Sequence, residues 1–287
     1  MENLSHRAMF ASLDISTLGG IRKDEELSFQ LQHITKAELG VLSAVKKIIP
    51  PHELKDIKSV CTSATTLHKK LTLQTSITNV RILPTTLFDE HSEGLRDFGH
   101  EFRKNVDRLV ERWPKILDNA PDRLGSAYNK DEFPSVHDIS RHFNIKTRYN
   151  PIPDNYSDWV LDGVSPDVVD GLKADLSSDI NEMYNDAASD VYKQAQKVMQ
   201  KLSNQCKNFT GKQGQLREIT VSNMREFVML FKGFNIFDDP TLEKAADEMN
   251  RVVNVTAREL REDDKIRNTI AKRTQKIVEM LQEKSVS

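Results

Sequence analysis

Asp97, His100 and Glu101 fall at i, i+3 and i+4, a spacing that places three oxygen and nitrogen ligands on one face of a helix. The same helix must turn Phe98 and Phe102 inward, so a solvated polar face accounts for the three residues and no metal ligand is assigned. His137 and His142 lie about 140° apart round a helix and cannot chelate together. Gly211-Lys212-Gln213-Gly214 lacks the Walker spacing and follows a helical pattern rather than a strand, which reads as a turn between helices. Gly19-Gly20 shows no helix N-terminus whose N–H groups could gather round a phosphate. Cys61 and Cys206 sit on apolar stripes, where a thiol behaves as a small hydrophobe. There is no Gly-x-Ser-x-Gly elbow, and Ser43-Ala44-Val45-Lys46 matches only the short, unspecific Ser-x-x-Lys pattern. The expectation is a protein that is not an enzyme, with no catalytic, cofactor-binding or metal residues and no cofactor.

Charge offers a second chemistry. Arg81, Arg141, Lys146, Arg148 and Tyr149 lie near predicted strands, and basic side chains beside an aromatic suit phosphate contact and base stacking. They are the candidate nucleic-acid contacts. Against them, 41 Lys and Arg nearly balance 43 Asp and Glu, giving a net charge of -2, so no global field draws a polyanion to the chain.

The elements that must position these residues are mostly helical. The chain has 287 residues, 38 % apolar and 29 % charged, with only 11 Gly and 10 Pro, a composition that fits long helices rather than a loop-rich β protein. No apolar run approaches the roughly 18 residues of a membrane span. Met1 to Arg7 lacks the order of a signal peptide, and two cysteines cannot build a disulfide framework. Membrane channels, secreted miniproteins and collagen-like fibres are excluded, and a cytoplasmic location is expected.

Period-two alternation over Met9 to Ser16 predicts a strand. Thr35 is a plausible cap for a helix over Lys36 to Ile49. Pro50-Pro51 opens a helix expected to run to about Thr75, and Asn79 to Leu83 is a short strand candidate. Leu95, Phe98, Phe102, Val106, Leu109, Trp113 and Ile116 follow a heptad rhythm, which Pro114 is expected to kink or end. Ser135 and Asp138 resemble a capping box, and Ile145 to Tyr149 reads as a third strand. The best boundary lies between Pro153 and Pro166, giving two domains: a mixed α/β head over 1–153 and a helical hairpin stalk over 154–287. The fold class is therefore mostly α with a small β element.

The stalk carries the clearest pattern. Pro166 to about Cys206 is one long helix. Thr220 caps a short helix to Phe231, and Asp239-Pro240 is a strong start signal for an arm running to about Lys284. The two long arms should pack antiparallel, with Leu172, Leu176, Ile180, Met183, Val191, Val198 and Leu202 against Met249, Val253, Leu260, Ile266, Ile270, Ile277 and Leu281. Two facing stripes leave apolar surface for the head or a second chain to cover, so a homo-oligomer is among the expected assemblies. Between Asp154 and Asp190 there are ten acidic residues and one basic, Lys173; between Lys265 and Lys276 there are five basic residues and none acidic. The hairpin register is expected to set these stretches face to face.

Three stretches carry a family resemblance. Met9 to Lys23 is a strand leading to a basic turn. Asn79 to Trp113 joins a short Arg-containing strand and a Pro to a helix with the Phe102 to Trp113 spacing. Phe133-Pro134-Ser135 runs through Ile139, Phe143, Ile145 and Tyr149 into Pro151-Ile152-Pro153. This pattern resembles the phage and mobile-element family "domain of unknown function 3150", although the usual glycines flanking the second strand are absent. The resemblance implies a non-enzymatic adaptor with protein partners, a MoxR-type AAA+ ATPase or a von Willebrand A-domain protein among them. It implies residence in the bacterial host cytoplasm if phage-encoded, and no catalytic residues. The alternative is a single-stranded nucleic-acid-binding accessory protein of phage DNA metabolism.

Overall fold

A computed structural model describes residues 4–153, 161–212 and 215–285. In chain order its elements are α1 (Leu4–Arg7), β1 (Ala8–Ser16), β2 (Ile21–Asp24), α2 (Glu25–Thr35), β3 (Ala44–Lys47), α3 (Lys55–Leu71), β4 (Leu73–Gln74), β5 (Arg81–Pro84), α4 (Phe88–Asp118), α5 (Ala120–Leu124) and β6 (Asn144–Pro151). The remainder is helical: α6 (Pro166–Lys207), α7 (Glu218–Phe234), α8 (Pro240–Val252), α9 (Ala257–Glu262) and α10 (Asp264–Ser285). The fold is thus mostly α with a small β element. The strands form a four-stranded sheet in the order β4-β5-β1-β6 and a two-stranded ribbon of β2 and β3.

The chain divides into two compact units, one of Met1–Ser12, Lys69–Glu90 and Tyr149–Ser287, the other of Leu13–His68 and His91–Arg148. This differs from the expected division into 1–153 and 154–287, because two early segments pack with the C-terminal helices. The Gln74 amide donates to the Asp190 carboxylate at 2.8 Å, and Lys70 reaches Glu226 on α7. Interactions that skip over a hundred residues leave no local trace in a sequence.

The unit of Leu13–His68 and His91–Arg148 is built on an apolar core of Leu18, Ile48, Ile49, Ile57, Phe102, Leu109 and Trp113, among others. Helix α4 supplies the heptad stripe as expected, with Leu95, Phe102, Val106, Leu109, Trp113 and Ile116 all buried. Pro114 does not end the helix, which continues to Asp118. Trp113 and Ile116 are anchored on either side of it, and the Trp113 indole N–H donates to the Pro134 carbonyl at 3.0 Å. Burial of the flanking side chains outweighs the local cost of proline, about 3 kcal/mol. Gly20 adopts φ +67, and a Cβ there would stand 2.9 Å from Leu54 Cδ1, so both backbone and packing demand glycine. The expected helix over Lys36 to Ile49 is a correction. The helix instead ends at Thr35, Lys36 turns left-handed at φ 55, and residues 44–47 enter the ribbon. Thr35 caps nothing; its hydroxyl donates to the Leu31 carbonyl at 2.6 Å. Ser135 and Asp138 do hydrogen bond, at 2.6 Å, ahead of a single 3-10 turn.

In the other unit α6 and α10 pack antiparallel. The Arg267 guanidinium lies 4.4 Å over the Phe209 ring, the Ser203 hydroxyl donates to the Ala271 carbonyl, and Lys193, Lys197 and Gln200 share a groove with Val278 and Gln282. Met183, Val191, Leu202, Met249, Val253, Leu260, Ile270, Ile277 and Leu281 are buried. Leu176, Ile180, Val198 and Ile266 are half-buried, and Leu172 is exposed. The second arm is not continuous. It breaks after Val252, and Thr256 opens α9 with a reciprocal capping box to Glu259. Arg225 seals the break by donating to the Val253 and Val255 carbonyls at 2.9 and 2.6 Å. Helix α7 begins at Glu218 rather than after Thr220. Gln213 and Gly214 of the expected turn lie outside the described residues. The register also corrects the charge pairing: the basic stretch from Lys265 to Lys276 lies beside 200–209, not beside the acidic first half of α6.

Candidate functional site

The five candidate nucleic-acid contacts do not form one site. Arg81 turns inward: Nε donates to Thr72 Oγ1 at 2.6 Å and Nη2 to the Thr72 carbonyl at 2.8 Å. Burial lowers its pKa, with the Asp190 charge acting in the opposite direction. Tyr149 stands edge-on to Phe88, centroids 5.1 Å apart, and burial raises its phenol. These two belong to one unit and the other three to the second. Arg148 pairs with Asp14, and Arg141 with Asp138 at 2.9 Å. The Asp138 carboxyl is held below its usual range, chiefly by the Ser135 hydroxyl. Lys146 is exposed on β6. Strand β6 brings Lys146 and Arg148 to one face, two residues apart.

The remaining chemistry-bearing residues also serve the fold. His100 hydrogen bonds with Arg103 at 3.2 Å, and among the described residues no cluster of three or more His, Cys, Asp or Glu is placed to hold a metal. Burial pushes the Cys206 thiol up to about 11, so it stays protonated and a poor nucleophile at neutral pH. His68 Nδ1 and His91 Nε2, both buried, lie 2.9 Å apart between α3 and α4. Burial pushes His91 down to about 4, which keeps it neutral under physiological conditions.

The unexpected feature is the α2 ribbon, where burial runs opposite to hydrophobicity. Asp24, Ser28 and Gln32 are the buried residues of this segment. Asp24 is the N-cap of α2, its carboxylate accepting from the Leu27 amide at 3.0 Å. The Ser28 hydroxyl donates to the Asp24 carbonyl and accepts from the Ala44 amide at 2.9 Å. The Gln32 side-chain amide donates to the Leu42 carbonyl. Lys46 of β3 completes the inner layer, donating to the Ala127 carbonyl at 2.7 Å and pairing with Glu132 at 3.0 Å and Asp24 at 3.7 Å. The helix is thus held to the ribbon by polar contacts that satisfy one another.

Its apolar side chains are left outside. Leu27, Leu31 and Ile34 form one stripe at 45, 37 and 76 % exposure, and Phe29 projects from the other flank at 61 %. Leu39 and Val41 in the following loop and Ile21 and Val45 on the ribbon's outer face are exposed as well. These eight are most of the exposed large hydrophobics among the described residues, and they fall within 25 residues of sequence. Single exposed hydrophobics are ordinary, whereas a concentration of them marks an interaction surface. Arg22, Lys23 and Lys47 on the ribbon and Glu25 and Glu26 on the helix are exposed among these side chains.

Sequence reasoning missed this surface because the i, i+4, i+7 spacing of Leu27, Leu31 and Ile34 normally marks a buried stripe. The available signal was Asp24-Glu25-Glu26, an N-cap followed by acidic residues, with Ser28 and Gln32 four apart and able to bond inward. No family model matches the chain, and no curated protein or solved structure is significantly similar to it.

Proposed function

We propose that the chain is a non-enzymatic interaction protein of the phage adaptor type, and that the outward apolar face of α2 and its ribbon is where a protein partner docks. One observation carries this reading: α2 satisfies its inner face with Asp24, Ser28 and Gln32 and exposes Phe29, Leu31 and Ile34. Burying a side chain of that size against a partner contributes about 1.5–3 kcal/mol, so a few of them suffice to anchor an interface. The sequence resemblance supports a MoxR-type AAA+ ATPase or a von Willebrand A-domain protein as that partner. The nucleic-acid alternative draws less support, because Arg81, Arg148 and Tyr149 already have intramolecular partners.

The test is site-directed photocrosslinking in the cells that carry the protein. A photoreactive residue at Leu39 captures a defined partner in the presence of ATP, and the same residue at Glu243, exposed on α8 of the other unit, does not. The purified partner then binds the wild-type chain and loses affinity for Phe29→Ser combined with Ile34→Ser. Recovery of the protein alone from both positions overturns the reading.

A further inference from the structure

Helix α6 carries a second surface that the docking reading does not use. On one face lie Asp175, Asp179, Glu182, Asp186 and Asp190, spaced four or three apart, and the same face continues as Lys193, Lys197 and Lys201. At 100° per residue all eight fall within about a third of the helix circumference. Asp175, Asp179, Glu182 and the three lysines are exposed; Asp186 and Asp190 are half-buried. The buried residues Ala187, Val191, Ala195 and Met199 lie on other sides, and Met183 is buried at the edge of the charged arc. Asp190 already accepts from the Gln74 amide and the Gln194 side chain, each at 2.8 Å, and feels the Arg81 charge, so the acids of this face turned to solvent are Asp175, Asp179 and Glu182.

The sign segregation works against the isolated helix. An ordinary solvated face interleaves acids and bases at i, i+4. Here Asp175 and Asp179, Glu182 and Asp186, Asp186 and Asp190, Lys193 and Lys197, and Lys197 and Lys201 set like charges one turn apart, which destabilises a helix. The ion pair α6 makes within itself among the described residues, Lys173 with Asp170, lies before this stretch. The helix dipole does not explain the arrangement, because its effect fades within the first and last turns. The sign change between Asp190 and Lys193 falls in the middle of a 42-residue helix. Nor does α10 neutralise the acidic half, since its basic stretch from Lys265 to Lys276 lies beside 200–209.

We propose that two copies of the chain associate through this face, α6 against α6, antiparallel about a twofold axis between Val191 and Tyr192. In that register Glu182 stands opposite Lys201, Asp186 opposite Lys197 and Asp190 opposite Lys193. Each pair occurs twice by symmetry. A twofold interface must be self-complementary, and a helix acidic in one half and basic in the other meets that condition only when the second copy runs the opposite way. A nucleic acid laid along α6 would meet the acidic half as well as the lysines. The face between the charges is polar, so the association is reversible and salt-dependent.

The experiment is sedimentation of the full chain across salt, with charge-swapped variants and circular dichroism as a folding control. At about 50 mM salt the wild type self-associates, and association weakens at least tenfold by about 500 mM as the screening length shortens. Glu182→Lys with Asp186→Lys is monomeric at low salt, and so is Lys197→Glu with Lys201→Glu. Mixing these two variants restores a 1:1 dimer, because every facing pair is again of opposite sign. A chain monomeric at all salts, or variants that self-associate like the wild type, overturns the proposal. So does loss of single-stranded oligonucleotide binding in the lysine variant without any loss of self-association.

Discussion

Helices α2 and α4 contribute to the same unit and follow opposite rules. Helix α4 buries Leu95, Phe102, Leu109 and Trp113 and turns its charges to water; α2 buries Ser28 and Gln32 and turns Phe29 and Ile34 outward. The first is held by apolar burial, a non-directional force that scales with area. The second is held by hydrogen bonds whose geometry fixes the helix on its ribbon and leaves the apolar side chains uncommitted. An element intended only to be stable has no reason for the second arrangement, whereas one that meets a partner does.

Four measurements break or sharpen that contrast. Trp113→Ala removes a fully buried indole and its bond to Pro134, and costs about 3–5 kcal/mol of unfolding free energy in denaturant titration. A loss under about 1 kcal/mol would mean that α4 is not the apolar anchor. The second measurement is pH. His91 is held at about 4 against an ordinary 6.5, so the unfolded chain binds the proton first. The stability that neutral His91 contributes is present above about pH 6.5 and is lost as pH falls toward 4, up to about 3 kcal/mol. Unfolding midpoints recorded between pH 7 and pH 4 should fall, with the slope reduced in His91→Gln; a flat profile contradicts a buried, neutral His91.

The third lies on α2. Ser28→Ala leaves the Ala44 amide and the Asp24 carbonyl without the hydroxyl they share, and costs about 1–3 kcal/mol. Amide exchange should accelerate in residues 44–47 before it does so in α4. If exchange rises uniformly, the polar clamp is not a local device. The smallest effect is expected from Ile34→Ser, which changes unfolding free energy by no more than about 0.5 kcal/mol. A cost of several kcal/mol would place Ile34 in a core.

What the sequence disclosed follows the same division. The α4 stripe, the long α6 and the Asp239-Pro240 start were legible because periodicity and capping are local signals and each agrees with where the residues ended up. Asp239 caps α8 as read, accepting from the Thr241 amide at 2.7 Å. Three features were not legible. The break after Val252 depends on Arg225, a residue nearly thirty positions earlier, reaching two carbonyls. The packing of 1–12 and 69–90 with the C-terminal helices depends on contacts distant in sequence. At α2 the hydrophobic pattern was present but pointed outward, and periodicity identifies a face without saying what covers it. Of the five basic and aromatic candidates, Arg81 shows the limit most clearly, since a strand arginine reads alike whether it binds phosphate or, as here, Thr72.

Helix α2 is fixed from inside by polar contacts and leaves its apolar side chains outside. The most direct measurement joins stability and binding in one variant, Phe29→Ser, Ile34→Ser and Leu39→Ser together, using the partner isolated by crosslinking. Unfolding free energy within about 1 kcal/mol of wild type is expected, with affinity reduced at least a hundredfold, about 2.7 kcal/mol. Undiminished affinity, or a variant that unfolds while the partner's affinity for its folded fraction is unchanged, would contradict it.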